Sequence, residues 1–220
     1  MGERTTLRLM KIAVIGAAGG VGRHVVSQLS QAGHDIRALV RTQEQADMLS
    51  LHGANPIMGD LTGEWTQVLD GADAVVWAAG AGTSGNFQAI DGDALVKVAD
   101  TLVQQGPRRL VVVSSMGVDR PEQMPPFLIQ VLKVKAVSDA HVQHSGLDFT
   151  IVRPGGLSNE PGSGQITLGR QVQGGQIPRE DVARVVVACL NAPGSLGQTF
   201  EITFGPTPVG EAVASLPVSS

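Results

Sequence analysis

From residue 11 onward the chain alternates between two hydrophobic patterns. Short, nearly continuous apolar runs read as strands, and stretches with apolar positions every three or four residues read as helices. Lys11–Ile15 is a first strand. Val21, Val25, Val26 and Leu29 make a helical stripe that ends at Gly33, a residue suited to a helix C-terminus. Asp35–Val40 is a second strand, Gln43–His52 a helix and Ala54–Met58 a short third strand. Ala72–Gly80 is an apolar strand running into small residues. A long helix over Phe87–Gln105 carries Ile90, Leu95, Val98, Leu102 and Val103, with Asp91 as an acid near its start. Arg109–Val113 is a fifth strand, Phe127–Ser145 a helix, and Gly146–Leu157 a sixth strand that breaks at Pro154 and Gly155. Arg179–Asn191 is helical, with Pro178 near its first turn and Glu180 and Asp181 favouring its N-terminus. Gln198–Phe204 alternates as a strand, and Pro208–Leu216 closes the chain as a short helix. Ser158–Gln176, rich in Gly, Ser and Gln, reads as a mobile loop or lid with a small strand pair.

Strands and helices taking turns along a chain build a parallel sheet with helices on both faces. The predicted fold is therefore α/β, a single Rossmann-like doubly wound parallel sheet. Residues 1–9 read as a flexible tail and 10–220 as one domain. In such sheets ligands bind beyond the carboxyl ends of the strands. That rule brings six turns to one rim: Gly16–Gly22, Arg41, Asp60, Ala78–Gly80, Ser114–Ser115 and Arg153–Gly156.

Composition narrows the function. The 220 residues hold 42% hydrophobic side chains, enough for a full core, and 16 basic against 20 acidic residues give a net charge of −4. No basic patch suggests nucleic acid. The single cysteine, Cys189, lies in an apolar helical run and reads as a core residue. No secretory signal or membrane-length apolar run is evident, so a cytoplasmic protein is expected, as monomer or homodimer. His141 and His144 lie three apart but lack a third ligand at metal spacing, so no metal is predicted.

The turn after the first strand carries the most chemistry. Gly16, Gly19 and Gly22 recur every third residue between strand and helix. Gly16 permits backbone angles that side chains forbid, Gly19 lets a pyrophosphate approach the backbone, and Gly22 lets the helix pack close. Ala18, Gly20 and Val21 complete the turn, and the helix N-terminus favours phosphate. Arg41, directly after the second strand, either pairs with the 2′-phosphate of NADP or is a solvated strand-end arginine, with Arg23 as a second cation. After the third strand come Gly59, Asp60 and Leu61. Asp60 accepts from an adenine amino group, or caps a helix begun near Glu64, or does both. Ala78, Ala79 and Gly80 leave room for a cofactor across the strand ends.

These stretches, with Ser114–Gly117, Ser145–Gly155 and Ile177–Ala183, make the chain resemble the atypical short-chain dehydrogenase/reductases. It is similar to the NAD(P)-binding group labelled NAD-dependent epimerase/dehydratase-like or NmrA-like. The resemblance implies a bound NAD(P), with Ser114, Lys135, Arg153, Pro154 and Gly155 also at the cofactor. In catalytically competent relatives a serine after the fifth strand positions the substrate carbonyl. A tyrosine four residues before a lysine donates the proton. Ser115 (or Ser114) matches the serine and Lys135 the lysine, but Val131 stands where the tyrosine belongs, and the chain contains no tyrosine at all. Lys135 either bonds a ribose or is a helix-surface lysine. Ser114 and Ser115 position a substrate or satisfy strand-end backbone groups, and Arg153 and Pro154 meet the cofactor or only shape their loop.

Three functions are consistent with this reading. One is an NADP(H)-dependent reductase of a flavin, quinone or other planar acceptor, whose product takes its proton from solvent. Another is a non-catalytic NADP(H) sensor whose loops change order for a protein partner. The weakest is a sugar-nucleotide epimerase or dehydratase, which the missing tyrosine and the short chain oppose.

Overall fold

The computed structural model describes residues 9–82 and 85–218. The expected tail, apart from Leu9, and Thr83, the start of the loop after the fourth strand, lie outside the described residues. The elements run β1 (Lys11–Ile15), α1 (Gly20–Gln31), β2 (Asp35–Val40), α2 (Gln43–Leu51), β3 (Asn55–Met58) and β4 (Ala74–Trp77). Then come α3 (Leu95–Gln105), β5 (Arg109–Val113), α4 (Ile129–His144), β6 (Asp148–Pro154) and β7 (Gly156–Ser158). The chain ends with β8 (Gln165–Gly169), β9 (Gln176–Pro178), α5 (Arg179–Leu190), β10 (Gln198–Phe204), β11 (Thr207–Pro208) and α6 (Val209–Ala214).

The main sheet has the order β11-β8-β10-β6-β5-β4-β1-β2-β3. From β10 to β3 every neighbouring pair is parallel, and the order reverses beside β1, where a doubly wound sheet opens its crevice. β8 and β11 add an antiparallel edge beyond β10. The fold is thus the expected Rossmann-like α/β domain, with a mostly rather than wholly parallel sheet.

Alternation along the strands explains the two cores. Ile12 and Val14 of β1, Ala74 and Val76 of β4, and Val111 and Val113 of β5 face α1, α2, α5 and α6. Ala13 and Ile15, Val75 and Trp77, and Leu110 and Val112 face α3 and α4 together with Trp65. Because both faces are covered, these strands are apolar throughout rather than alternating. α1 stops as its glycine requires: Gly33 has φ +83, its N–H donates to Ser30 O, and the His34 N–H reaches back to Leu29 O.

Two expectations change. The helix over Phe87–Gln105 is continuous but opens with a π-helical turn, Gln88–Ala94, before α3. Its Asp91 is no solvated first-turn acid, being 2% exposed. The segment Ser158–Gln176 is no free lid. Ile166 of β8 is fully buried, and β8 pairs with β10. The small strand pair expected within it is replaced by a parallel pair that flanks it, β7 with β9. The stretch between is tied to α5. The Asp181 carboxylate, fully buried, accepts from Ser163 N and Gly164 N at 2.8 Å each, and Glu180 Oε2 accepts from Gly162 N at 2.9 Å. Acids at a helix start satisfied these loop N–H groups, which a composition rich in Gly and Ser conceals.

Candidate functional site

The glycine turn has the geometry its residues allow. Gly16 sits at φ +84, and a Cβ there would overlap the backbone of Ala78 and Ala79. A Cβ on Gly22 would collide with Gly16 O. These two glycines therefore serve turn and packing. Gly19 is different: it is exposed, its N–H donates to Gly16 O at 3.0 Å, and it begins α1 with no side-chain cap. No acid occupies the first turn of α1. The first N–H groups of a helix have no helical acceptor, so the turn offers Gly20, Val21 and Gly22 backbone donors at a positive helix end. Val21 contributes backbone alone, since its side chain is in the core. Ala18 is half-buried beside it. A shallow cradle of small residues ending in open donors fits a dinucleotide pyrophosphate.

Across the rim, Ala78 N donates to Ile15 O at 2.8 Å, which lays Ala78 and Ala79 against Gly16. Arg41 follows β2 with an exposed side chain. Its backbone N–H is held by Gln45 Oε1 at 2.9 Å, while Thr42 Oγ1 caps α2 by accepting from Gln45 N. The backbone of Arg41 is thus fixed and its guanidinium faces solvent. Asp60 Oδ1 accepts from Thr62 N and Thr62 Oγ1. Those hydrogen bonds, with a smaller attraction from Arg41, hold its carboxyl below the usual range. Asp60 caps this turn and not a helix, because the next helical turn is a 3-10 turn starting at Thr66. Leu61 is half-buried against the α3 face of the sheet. Gly59 has no space for a Cβ, which would lie 2.6 Å from Glu64 O. A Cβ on Gly80 would lie 3.2 Å from Asp91 Oδ1.

Beneath this rim is a polar cluster that the sequence reading did not assemble. Lys135 Nζ lies 2.7 Å from Asp91 Oδ1, with the two side chains 14% and 3% exposed. Asp91 Oδ2 also accepts from Ala81 N at 3.0 Å, which anchors the turn after β4. Lys135 is therefore not a surface lysine; its charge is committed to Asp91, leaving N–H donors for a ribose. One turn further along α4, Asp139 Oδ2 accepts from Ser114 Oγ at 2.9 Å and from Arg153 Nε at 3.0 Å. Burial pushes the Asp139 carboxyl up, outweighing Arg153, Ser114 and Lys135, which pull it down. Asp139 Oδ1 is buried without a partner among the described residues. Arg153 is 9% exposed, so its guanidinium supports Ser114 from within the protein rather than standing on the rim. Ser115 is half-buried, with its Oγ only 3.4 Å from Met116 O. Val131 is half-buried on α4 four residues before Lys135. Pro154 O accepts from Met116 N, and Gly155 lacks room for a Cβ because Gly175 O crosses it. Pro154 and Gly155 thus join β6 to its neighbours.

Beside these strand ends a cleft of about 600 Å³ is lined by Ser158, Thr167, Gln176, Thr203 and Phe204, among others. Phe204 is 59% exposed. Elsewhere, His141 Nε2 pairs with Asp100 at 2.7 Å, and His144 Nδ1 lies against Ala140 O. Among the described residues no group of three His, Cys, Asp or Glu side chains is placed to hold a metal ion.

Residues 16–193, from the first glycine of the turn to just beyond α5, match a family model described as NAD(P)H-binding. The chain belongs to the NAD(P)H-binding family. It is 34% identical over 214 residues to a Bacillus subtilis protein named as the uncharacterized sugar epimerase YhfK, covering 94% of this chain and 100% of that one. A solved structure of a putative NAD-dependent epimerase/dehydratase from Bacillus halodurans has a TM-score of 0.90 at 34% identity, over 94% of this chain and 100% of that one. Two more distant structures share the fold. The anaerobillin reductase ChuY of Escherichia coli O157:H7 has a TM-score of 0.77 at 23% identity, over 90% and 100% of the two chains. A short-chain dehydrogenase/reductase of Veillonella parvula in complex with NADP has 0.71 at 18%, over 91% and 97%.

Proposed function

We propose that the protein is an NADPH-dependent reductase of a planar acceptor such as a flavin or quinone. The observation that carries this reading is the combination of an intact dinucleotide cradle with a site lacking a phenolic acid. Val131 stands where that acid belongs, and Lys135 is held by Asp91. Bound NADPH supplies a hydride. The chain supplies the backbone donors of α1 for the pyrophosphate, and Arg41 for the 2′-phosphate. Lys135 offers a fixed donor to the ribose, and Ser114, oriented by Asp139, offers a hydroxyl at the end of β5. An acceptor whose reduced form is protonated by solvent needs nothing further from the protein. The open cleft beside β10, with Phe204 as an aromatic wall, suits a flat ring. The same missing phenol speaks against a sugar epimerase, the activity in a relative's name, because oxidising a sugar carbinol needs a group to take the hydroxyl proton.

Cofactor choice is tested by titrating NADPH and NADH into the wild-type chain and an Arg41→Ala variant. NADPH binding falls by about 1–3 kcal/mol in the variant, with little change for NADH. Equal losses for both remove Arg41 from the phosphate role. A second reading, a dinucleotide sensor without turnover, is favoured by the commitment of Lys135 to Asp91. It predicts binding without turnover, and a change in protease sensitivity or partner binding on loading.

A further inference from the structure

Arg179 is the first residue of α5, yet its side chain lies across the start of α1. A Cβ placed on Gly20 would be 2.7 Å from Arg179 Nε and 2.8 Å from its Cδ. The absence of a side chain at position 20 is what makes room for this arginine. Its Nη1 donates to Asn159 Oδ1 at 2.7 Å, a neutral partner. No acidic side chain pairs with it among the described residues. The two acids that follow it on α5 are engaged elsewhere: Glu180 and Asp181 serve Arg184 and the N–H groups of residues 162–164.

A cation here has the wrong sign for the start of α1. The N-terminus of α1, uncapped and with no acid in its first turn, is positive, whereas the first turn of α5, on which Arg179 itself stands, carries Glu180 and Asp181. A guanidinium held against the positive end of α1 by a neutral amide is accounted for by an anion that sits between the two. We propose that Arg179 belongs to the dinucleotide site and clamps the pyrophosphate from the α5 side, opposite the backbone donors of α1. Asn159 holds it ready, and a guanidinium suits two phosphate oxygens at once. The inference rests on the chain binding NAD(P)H through the glycine turn, and it deepens that reading. Arg41 would read the 2′-phosphate that separates NADP from NAD, whereas Arg179 would read the diphosphate they share.

The test is calorimetric titration of NADPH, adenosine 5′-diphosphate and adenosine 2′-monophosphate into the wild-type chain and an Arg179→Gln variant. The expected result is a loss of roughly tenfold or more for NADPH and the diphosphate, with the 2′-monophosphate within twofold. Arg179→Lys recovers part of the loss. The unliganded Arg179→Gln variant unfolds at a urea concentration no lower than wild type, since a like charge has left the N-terminus of α1. Unchanged diphosphate affinity, or an equal loss for the 2′-monophosphate, overturns the proposal. Equal wild-type affinity for NADPH and NADH instead overturns the NADP preference and leaves Arg179 in place.

Discussion

The buried Asp91–Lys135 pair holds the lysine of the candidate site in place, and a double-mutant cycle measures it. Lys135→Met leaves the Asp91 carboxylate 3% exposed, 2.7 Å from where its counter-charge stood and still accepting from Ala81 N. Removing one partner of a buried ion pair costs about 3–5 kcal/mol, because the remaining charge is uncompensated. Asp91→Asn is milder. It keeps an oxygen for Ala81 N, and Lys135, with 14% of its side chain exposed, retains some access to water. A loss of about 1–3 kcal/mol follows. The double variant removes both charges and costs less than the sum of the singles by about 2–4 kcal/mol. Urea unfolding reads this directly: with a slope of about 3 kcal/mol/M, each 3 kcal/mol moves the midpoint by about 1 M. A coupling below about 1 kcal/mol, the range of a solvated pair, would refute the view that Asp91 fixes the lysine.

Two further outcomes follow from buried groups away from the rim. Burial pushes the Cys189 thiol up to about 12, so a thiol reagent at pH 8 leaves the native chain unlabelled and reacts only after denaturant is added; rapid native labelling would contradict its place in the core. Glu201 is fully buried; burial raises its carboxyl, but hydrogen bonds from Arg120, Val172 N and Gly117 N outweigh that and lower it below 4.5. A lowered carboxyl contributes stability above its unfolded value that is lost as pH falls through the folded one. Glu201→Gln therefore flattens the loss of stability below pH 4.5 in acid unfolding, and an unchanged acid limb would show that Glu201 is not part of it.

Much of this molecule is legible from periodicity. The strands of the parallel sheet are apolar on both faces, so β1, β4 and β5 announced themselves, and the positive φ of Gly16 and Gly33 follows from where each chain segment must turn. The polar cluster was not read from the sequence, although a signal for it was there. Asp91 lies on the same helical stripe as Leu95, Val98 and Leu102, and Asp139 on that of Leu132, Lys135 and Val142; an acid on a buried stripe needs a partner. Glu201 gave no such sign. It lies on the opposite face of β10 from Phe200 and Ile202, and only tertiary contact brings Arg120 and Val172 over it. Arg179 was equally hidden, since its significance depends on Gly20, far away in sequence.

The proposed reductase activity is tested most directly by following NADPH oxidation at saturating NADPH with FMN and with simple quinones as acceptors. The account predicts turnover well above the rate without protein, from a site with no tyrosine to supply a proton. Tight NADPH binding with no turnover across that panel would contradict it and leave the sensor reading standing.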